Sequence, residues 1–469
     1  MINRRQFGQL IAGAAFGSQA AEALAAPVVV RAKPRIVVVG GGAGGGTVAH
    51  IIKRQAPDTN VTVIERRAVY TSCFNSNHVF GGFRTFQSLQ HGYDGLRKIG
   101  IDVVTGEADA IDRAQKRVRL SDGSTIAYDY LVLSPGISYR YDAIEGYSAE
   151  VAETVMPHAW TAGPQTQLLM AQLEAMDDGG VVVMTVPKNP YRCPPGPYER
   201  ACMIAHYLKT HKPRSKLLLF DAKPYFSKQA AFEEAFRKYY DGIIDLSLTN
   251  EIDDNNVVRV DPREMTVETA SGLKVRGAVV NVIPPQTAGQ VAIDAGCADA
   301  SGWCPIQPQN FMSAQAEGIY VIGDATIAND MPKSAYSANS HGRVVAGDIL
   351  AAINGDRAVP ARYRNTCWSL IAEADTIKIG ADYEPGQRDG KPYLQARDAF
   401  VSLPGESAQL RRRNYDESLA WVSRHHRRGA ERSNGADAPA LGVAQGLSDA
   451  GVARSRACGT YPNGAVTAA

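Results

Sequence analysis

The sequence predicts an α/β protein with two Rossmann-like dinucleotide-binding domains and a C-terminal α+β region. A β-branched run at residues 35–39 leads into a glycine-rich turn and then into a helical stretch. Two further β-rich runs, at 179–186 and 216–221, repeat the start of such a unit. Residues 318–325 form another strand pattern, which ends in Gly-Asp. Strand and helix signals that alternate in this way are typical of a parallel sheet covered by helices.

Length and composition exclude several classes of protein. The 469 residues include 50 Lys and Arg, 48 Asp and Glu, and 7 Cys. This length corresponds to two or three domains whose cores need no disulfides for folding. A formal charge of +2 provides no basic surface for nucleic acid, so we predict no nucleic-acid partner. No stretch after residue 30 has the ~18 apolar residues of a membrane span, and we predict no integral membrane segment in the mature chain.

Residues 1–26 have the pattern of a twin-arginine export signal. Arg4 and Arg5 precede an apolar stretch rich in Ala and Gly, which ends in an Ala-Leu-Ala cleavage site at 23–25. An ordinary secretory signal is the alternative. The twin-arginine route carries folded chains and suits proteins that receive a cofactor before export. We therefore predict the periplasm, a compartment in which disulfides persist.

The glycine-rich turn predicts a dinucleotide site. Gly40 permits the turn, Gly42 lets the backbone approach a pyrophosphate, and Gly45 allows the helix to pack closely on the strand. A second strand at 61–64 leads to Glu65, whose carboxylate can accept hydrogen bonds from ribose hydroxyls. A turn that is merely rich in glycine is the alternative, but the strands, the helix and the acid follow in the expected order.

Two later segments favour FAD over NAD for this first domain. Residues 130–136 read as a buried strand that breaks into a turn, although an ordinary core strand explains them equally well. Residues 318–325 are more specific. They resemble the segment that places an Asp on the ribityl chain of FAD in flavoproteins with two dinucleotide domains, and we assign that role to Asp324.

The second domain has the outline of an NAD(P)H site without its phosphate-binding glycines. Residues 187–197 contain five prolines, which remove backbone N–H donors where a pyrophosphate would bind. We therefore predict that a pyridine nucleotide is not the electron donor. Cys193 lies in this loop ahead of a helical run, where the helix dipole is expected to favour a thiolate. A structural cysteine in a loop is the alternative.

Four segments resemble the flavoprotein subunit of flavocytochrome c sulfide dehydrogenase. They are residues 70–73, 191–201, 331–340 and 365–367. The resemblance extends from the signal to about residue 425 and belongs to a wider, glutathione reductase-like group of sulfide:quinone reductases and disulfide oxidoreductases.

This resemblance implies functions for particular residues. Cys73 corresponds to the cysteine that bonds covalently to the flavin, and Cys193 and Cys367 correspond to the redox-active disulfide beside the flavin ring. A helix that starts at Pro332 and the side chain of Lys333 would lie near the flavin and stabilise negative charge on it. Four cysteines then remain without an assigned chemical role. For two of them, Cys297 and Cys304, the sequence leaves pairing open.

The implied activity is oxidation of sulfide to zero-valent sulfur or polysulfide through the disulfide, with FAD as cofactor. The chain has no C-x-x-C-H motif, so haem c is expected only on a partner subunit, a c-type cytochrome. A sulfide:quinone reductase and a non-catalytic flavoprotein partner in sulfur-compound oxidation are the alternatives. Glu199 could assist proton transfer near Cys193, but the favoured role for Glu199 is that of an ordinary carboxylate which interacts with the helix dipole. We predict no metal site.

The predicted domains follow from these patterns. They are the signal at 1–26, the first part of the FAD-binding domain at 33–155, the NAD-like domain at 156–285, the second part of the FAD-binding domain at 286–352, the C-terminal interface domain at 353–426 and a disordered tail at 427–469.

Overall fold

A computed structural model of the protein describes residues 33–430. The predicted signal peptide and the part of the predicted tail after residue 430 lie outside the described residues. Within the described part, residues 427–430 correct the tail prediction, because the last helix continues to Ala430.

The first domain is built on a five-stranded parallel sheet, here called the first sheet. In spatial order its strands are Ile319–Val321, Tyr130–Leu133, Arg35–Val39, Asn60–Glu65 and Asp102–Thr105. The strand from residue 319 pairs with strands from the first 133 residues, so both predicted parts of the FAD-binding domain contribute to one sheet. Its central strand is fully buried at Ile36, Val37 and Val38, as expected for a parallel sheet covered on both faces.

Two helices pack side by side on the first sheet. The glycine-turn helix is Ala43–Gln55, and the Ser334-capped helix is Ala335–Asn354. A Cβ atom at Gly342 would lie only 2.7 Å from the carbonyl oxygen of Gly44, so glycine at this position allows the two backbones to approach closely.

The second domain contains a four-stranded parallel sheet, here called the second sheet. Its strands, in spatial order, are Ile244–Ser247, Lys216–Asp221, Val181–Val186 and Val279–Val282. The helix that follows the proline-rich loop is Gly196–His211, and we call it the cysteine helix. Eleven of its residues are buried, because the helix packs into the core of this domain rather than on its surface.

The C-terminal region is a three-stranded antiparallel sheet, here called the C-terminal sheet, followed by a long helix. The strands are Tyr363–Ala372, Asp375–Arg388 and Lys391–Val401, and the C-terminal helix is Ala408–Ala430. None of the helices that the structure describes is long and apolar enough to cross a membrane.

Shorter elements connect these units. The further α-helices are Asp94–Lys98, Ala149–Thr154, Pro164–Ala175, Gln229–Tyr239, Ile252–Asn255 and Gln290–Asp294. The 3₁₀ helices are Ser76–Val79, Phe86–Leu89, Tyr141–Ala143 and Gly323–Ala325. The strands of the small sheets are Tyr70–Thr71, Gln90–His91, Ala108–Asp112, Arg117–Leu120, Thr125–Ala127, Ile137–Tyr139, Val257–Asp261, Thr266–Thr269, Lys274–Arg276, Gln286–Ala288, Cys304–Pro305 and Thr326–Ile327.

A buried arginine fastens the C-terminal helix to the rest of the protein. The Arg411 side chain is 5% exposed and pairs with Glu406 at 2.7 Å, Glu234 at 3.0 Å and Asp375 at 3.5 Å. These carboxylates come from the loop before the helix, from the helix Gln229–Tyr239 and from the C-terminal sheet. One guanidinium therefore joins three elements.

We expect Arg411→Met to lower the free energy of unfolding by about 3 kcal/mol, because it leaves three partly buried carboxylates without their cation. Chemical denaturation measures this change. The control is Arg412→Met on the same helix, whose pair with Asp416 is about 60% exposed on both sides and should cost under about 0.5 kcal/mol. Equal losses for the two variants would contradict this account of Arg411.

Candidate active site

A cavity of about 600 Å³ lies at the carboxyl ends of the strands in the first sheet. Open α/β sheets bind ligands at this edge, and the volume is within the range of cofactor sites. Most of the predicted site residues line the cavity. They are Gly40, Gly42, Glu65, Cys73, Cys193, Asp324 and Cys367.

The three assigned glycines have different surroundings. Gly40 has φ of +99°, and a Cβ atom there would lie 2.2 Å from the carbonyl oxygen of Ser134. At Gly45 a Cβ atom would lie 1.9 Å from the carbonyl oxygen of Gly40, so this glycine packs the helix against the turn and does not line the cavity. A Cβ atom at Gly42 would have its nearest contact with the Tyr70 ring, at 3.9 Å. A pyrophosphate can therefore approach the backbone at Gly42.

Glu65 ends its strand with its carboxylate held at the cavity. One oxygen accepts a hydrogen bond from the backbone N–H of Gly41 at 2.8 Å, and the other accepts from the N–H of Arg67 at 3.2 Å. The remaining lone pairs can accept hydrogen bonds from ribose hydroxyls.

Asp324 provides a direct test of whether FAD fits. Its Oδ1 atom is buried and has no hydrogen-bond partner among the described residues, and its Oδ2 atom lies 4.0 Å from Nη1 of Arg192. Burial raises the pKa of Asp324, against the charge of Arg192. A buried acceptor without a donor, facing a cavity, fits a ligand that carries hydroxyl groups. The ribityl chain of FAD is such a ligand, and the glycine turn and Glu65 fit its other half.

Cys73 lies at a wall of aromatic side chains. It follows the short strand Tyr70–Thr71, and its carbonyl oxygen accepts a hydrogen bond from the Ser76 hydroxyl at 2.7 Å. Next to it, Phe74 meets Trp421 edge to face, with ring centroids 5.4 Å apart, and Trp421 stacks on Tyr336 at 5.2 Å. The C-terminal helix, which carries Trp421, thus forms part of the cavity wall.

Cys193 and Cys367 reach the same cavity from different domains. Cys193 lies in the loop before the cysteine helix, and Cys367 lies on the first strand of the C-terminal sheet. Both are free thiols in the structure, and they lie close enough that negative charge on Cys367 raises the pKa of Cys193. The structure therefore brings the two residues of the predicted disulfide together, and the bond itself stays a prediction.

The local structure of Cys193 bears on one expectation from the sequence. Cys193 adopts a left-handed backbone with φ of +59°, and its N–H donates to the carbonyl oxygen of Lys333 at 2.8 Å. The cysteine helix begins only at Gly196, after Cys193. Burial raises the pKa of the Cys193 thiol, and Cys367 and Glu199 raise it further. Burial therefore opposes the thiolate that the sequence predicts at Cys193.

Glu199 is a buried carboxylate that joins three segments of the chain. It accepts hydrogen bonds from Nδ2 of Asn77 at 2.8 Å and from the backbone N–H of Leu370 at 2.9 Å, and Nε2 of His78 lies 3.5 Å away. Burial opposes ionisation, but these donors hold the pKa of Glu199 below its ordinary value. An ionised Glu199 with occupied oxygens acts as a structural cross-link. Glu199 also lies in the first turn of the cysteine helix, which agrees with the favoured role as a partner of the helix dipole, and proton transfer by Glu199 stays a hypothesis.

Three family models match this chain. Residues 166–284 match the central region of the flavoprotein chain of sulfide dehydrogenase [flavocytochrome c], and residues 359–424 match the flavin-binding region of flavocytochrome c sulphide dehydrogenase. Residues 34–169 match the pyridine nucleotide-disulphide oxidoreductases. The predicted resemblance to the flavocytochrome c sulfide dehydrogenase flavoprotein is confirmed. The match at 359–424 also indicates that the protein binds a flavin.

Curated relatives carry the name sulfide:quinone oxidoreductase. The sulfide-quinone reductase of Aquifex aeolicus is 24% identical over 83% of this chain and 91% of its own length. The mitochondrial sulfide:quinone oxidoreductase of Dictyostelium discoideum is 22% identical over 61% of this chain. Here the chain spans 64% of the relative's length, a little under two thirds.

Solved structures show the same fold. The X-ray structure of the sulfide:quinone oxidoreductase from Aquifex aeolicus has a TM-score of 0.65 and 19% identity, and covers 84% of this chain and 92% of that one. An NAD-dependent persulfide reductase from A. fulgidus has a TM-score of 0.60 and 18% identity, with 83% and 77% covered. These neighbours confirm the predicted α/β fold with two Rossmann-like domains.

The structure corrects the predicted start of the helix near Lys333, whereas the position of Lys333 relative to the flavin stays a prediction. The helix begins at Ala335 rather than at Pro332, because the Ser334 side chain caps it by accepting a hydrogen bond from the N–H of Ser337 at 3.0 Å. Lys333 does not line the cavity. Its Nζ atom donates to the carbonyl oxygen of Thr326 and lies 3.8 Å from the centroid of the Trp303 ring. Burial lowers its pKa to about 8.

Two cations near the cysteines, the partly buried Arg192 and the buried Lys228, have no assignment from the sequence. Arg192 lines the cavity and faces Asp324, and Lys228 donates to the backbone carbonyl of Cys367 at 3.2 Å. Arg192 directly precedes Cys193 in a segment already assigned to the site, which was a usable signal. Lys228 carries no such signal, because it lies in an unassigned turn far from Cys367 in sequence.

The other buried cysteines contribute to packing. Cys202 is fully buried in the core of the second domain, where it packs as a small hydrophobic residue. Cys297 and Cys304 are also fully buried and are present as free thiols.

We expect Gly45→Ala to destabilise the protein by about 1–3 kcal/mol and to reduce its flavin content, because a Cβ atom would overlap the carbonyl of Gly40. The flavin-to-protein absorbance ratio and thermal unfolding measure the two effects. Gly46→Ala is the matched control. It lies in the same helix, and its Cβ atom would have its nearest contact at 3.4 Å, so it should retain flavin and stability. Normal flavin content in Gly45→Ala would refute the packing role of this glycine.

Proposed function

We propose that the protein oxidises sulfide to zero-valent sulfur or polysulfide in the periplasm, with FAD as cofactor and a c-type cytochrome subunit as electron acceptor. One observation carries the proposal. Cys193 and Cys367, which lie on different domains, line the same cavity as the glycine turn and Asp324. A cysteine pair beside a dinucleotide-type cavity can exchange with hydrosulfide when it is a disulfide, and the dithiol that results can pass two electrons onward.

The proposed reaction starts from a Cys193–Cys367 disulfide. The sulfur of hydrosulfide bonds to Sγ of Cys193, the bond between the two cysteines breaks, and the electron pair stays on Cys367 as a thiolate. Cys193 then carries a persulfide, and attack by a second sulfide on it releases the oxidised sulfur as a disulfane chain. FAD, when bound, supplies a two-electron acceptor. The charge of Arg192, which lies close to Cys193 and lowers its pKa, attracts anionic hydrosulfide.

A quinone is the second candidate acceptor. The names of the curated relatives from Aquifex aeolicus and Dictyostelium discoideum favour it. The family models for residues 166–284 and 359–424 favour a cytochrome, because their names refer to flavocytochrome c. The periplasmic location is supported by the sequence pattern of residues 1–26.

Anaerobic addition of sulfide tests this function. We expect sulfide to bleach the visible absorption band of the flavin, and added cytochrome c to restore it faster than a soluble quinone analogue does. Faster recovery with the quinone would contradict the cytochrome and identify a quinone as the electron acceptor. A flavin band that sulfide leaves unchanged would refute sulfide oxidation.

Variants define the part played by the cysteine pair in the same assay. Cys193→Ser should slow bleaching by about 100-fold or more, because the sulfur that hydrosulfide attacks is gone. The control is Cys202→Ala on the cysteine helix, a buried thiol outside the cavity, which should bleach at the normal rate. Normal bleaching in Cys193→Ser would assign the cysteine pair a structural role.

The proposed thioether at Cys73 has its own test. After acid denaturation and filtration, we expect the flavin to remain with the protein, because a covalent bond survives unfolding whereas a dissociable cofactor is released. The Cys73→Ser variant should release its flavin into the filtrate. Free flavin in the wild-type filtrate would show that Cys73 is not bonded to it.

A further inference from the structure

Lys228 is a buried cation that the proposed reaction does not use. The residue is 5% exposed and adopts a left-handed backbone with φ of +61° just before the helix Gln229–Tyr239. Its Nζ atom donates to the Ser369 hydroxyl at 2.7 Å and to the carbonyl oxygen of Cys367 at 3.2 Å. The ammonium group therefore lies against the strand that carries Cys367. The backbone conformation of Lys228 is uncommon outside glycine.

The charge of Lys228 has no carboxylate partner within 4.0 Å among the described residues. Its direct acceptors are a hydroxyl and a carbonyl, and its nearest ring, Phe232, lies 5.6 Å away. Burying an ammonium group is costly unless an anion compensates it. The arrangement therefore calls for a negative charge close by.

Three groups that can be negative face Lys228. They are Cys367 on the C-terminal sheet, Glu199 on the cysteine helix and Cys193 in the loop before that helix. Both oxygens of Glu199 already accept hydrogen bonds, from Asn77 and from the backbone of Leu370. Cys367 is the group whose own strand Lys228 contacts.

We propose that Lys228 is a positioning residue that holds Cys367 as the thiolate member of the cysteine pair, which directs hydrosulfide to Cys193. This inference rests on the proposed function only where it says which cysteine hydrosulfide attacks. In the exchange step, the sulfur that carries the more stable thiolate is the better leaving group. The electron pair of the broken bond thus stays on Cys367, beside an ammonium group that keeps its proton.

The charged groups around the two thiols also favour the thiolate at Cys367 over the thiolate at Cys193. Burial raises the pKa of Cys367, and Lys228 is the strongest of the groups that lower it, followed by Asn365 and Ser334, while Glu199 raises it. For Cys193, burial raises the pKa, both Cys367 and Glu199 add to the rise, and Lys228 and Arg192 lower it. Burial lowers the pKa of Lys228 to about 8, so the ammonium is mostly charged at pH 7 and its effect on Cys367 fades at higher pH.

The test measures the acidity of each thiol in the reduced holoprotein. After reduction with dithiothreitol and its removal, iodoacetamide alkylates thiolates, and mass spectrometry quantifies the peptides of Cys193 and Cys367 separately from pH 6 to 10. We expect the apparent pKa of Cys367 to be below that of Cys193. Lys228→Met should slow alkylation of Cys367 about tenfold at pH 7, which corresponds to one pKa unit.

Two controls separate charge from structure. Lys228→Arg keeps the positive charge and should retain the wild-type apparent pKa of Cys367. Ser369→Ala removes one hydrogen bond of Lys228 but leaves its charge, and should shift alkylation by less than about twofold. A folded Lys228→Met protein with the wild-type pH profile would overturn the proposal. If that variant fails to fold, a wild-type Cys193 more acidic than Cys367 would overturn it instead.

The alkylation assay needs no sulfide turnover, so it distinguishes the two proposals. A protein that does not oxidise sulfide, yet loses the acidity of Cys367 on removal of Lys228, would refute the proposed function and leave this inference standing.

Discussion

The buried carboxylate of Glu199 is the interaction on which the candidate site depends. It accepts a hydrogen bond from Leu370, which is 171 residues away in sequence, and another from Asn77, which is 122 residues away. Leu370 follows Cys367 on its strand, and Asn77 follows Cys73 by one short turn. Glu199 lies in the first turn of the cysteine helix, which follows the loop that carries Cys193. One anion thus fixes the relative positions of the segments that carry all three assigned cysteines.

The sequence predicted the features that are encoded locally. Hydrophobic runs bounded by glycine located the parallel strands, and the glycine spacing separated Gly42, which faces the cavity, from Gly45, which packs the helix. The prediction and the structure differ where tertiary contacts decide. Pro332 is a favourable first residue of a helix, but Ser334 provides the cap that starts it, and the Lys333 side chain turns towards Trp303 and away from the cavity.

Lys228 and Arg192 show why electrostatics was the least predictable part. Arg192 is partly buried and Lys228 is buried because residues from distant segments surround them, and their effect on the cysteines depends on distances that the sequence does not contain. The same holds for Cys193. A thiol before a helix is expected to be acidic, yet burial and two neighbouring anionic groups raise its pKa. The helix dipole is a local property, whereas desolvation depends on the whole fold.

The second domain keeps the nucleotide-binding fold but uses its binding edge for another purpose. Asp221 ends a strand of the second sheet, where an acidic side chain usually binds a ribose. Here its carboxylate accepts hydrogen bonds from Tyr198 of the cysteine helix and from Lys223, and the side chain is fully buried. The group that would recognise a nucleotide instead anchors the helix that follows Cys193. Asp221 therefore supports the segment that carries Cys193, at the edge of the sheet where a nucleotide binds in this type of fold.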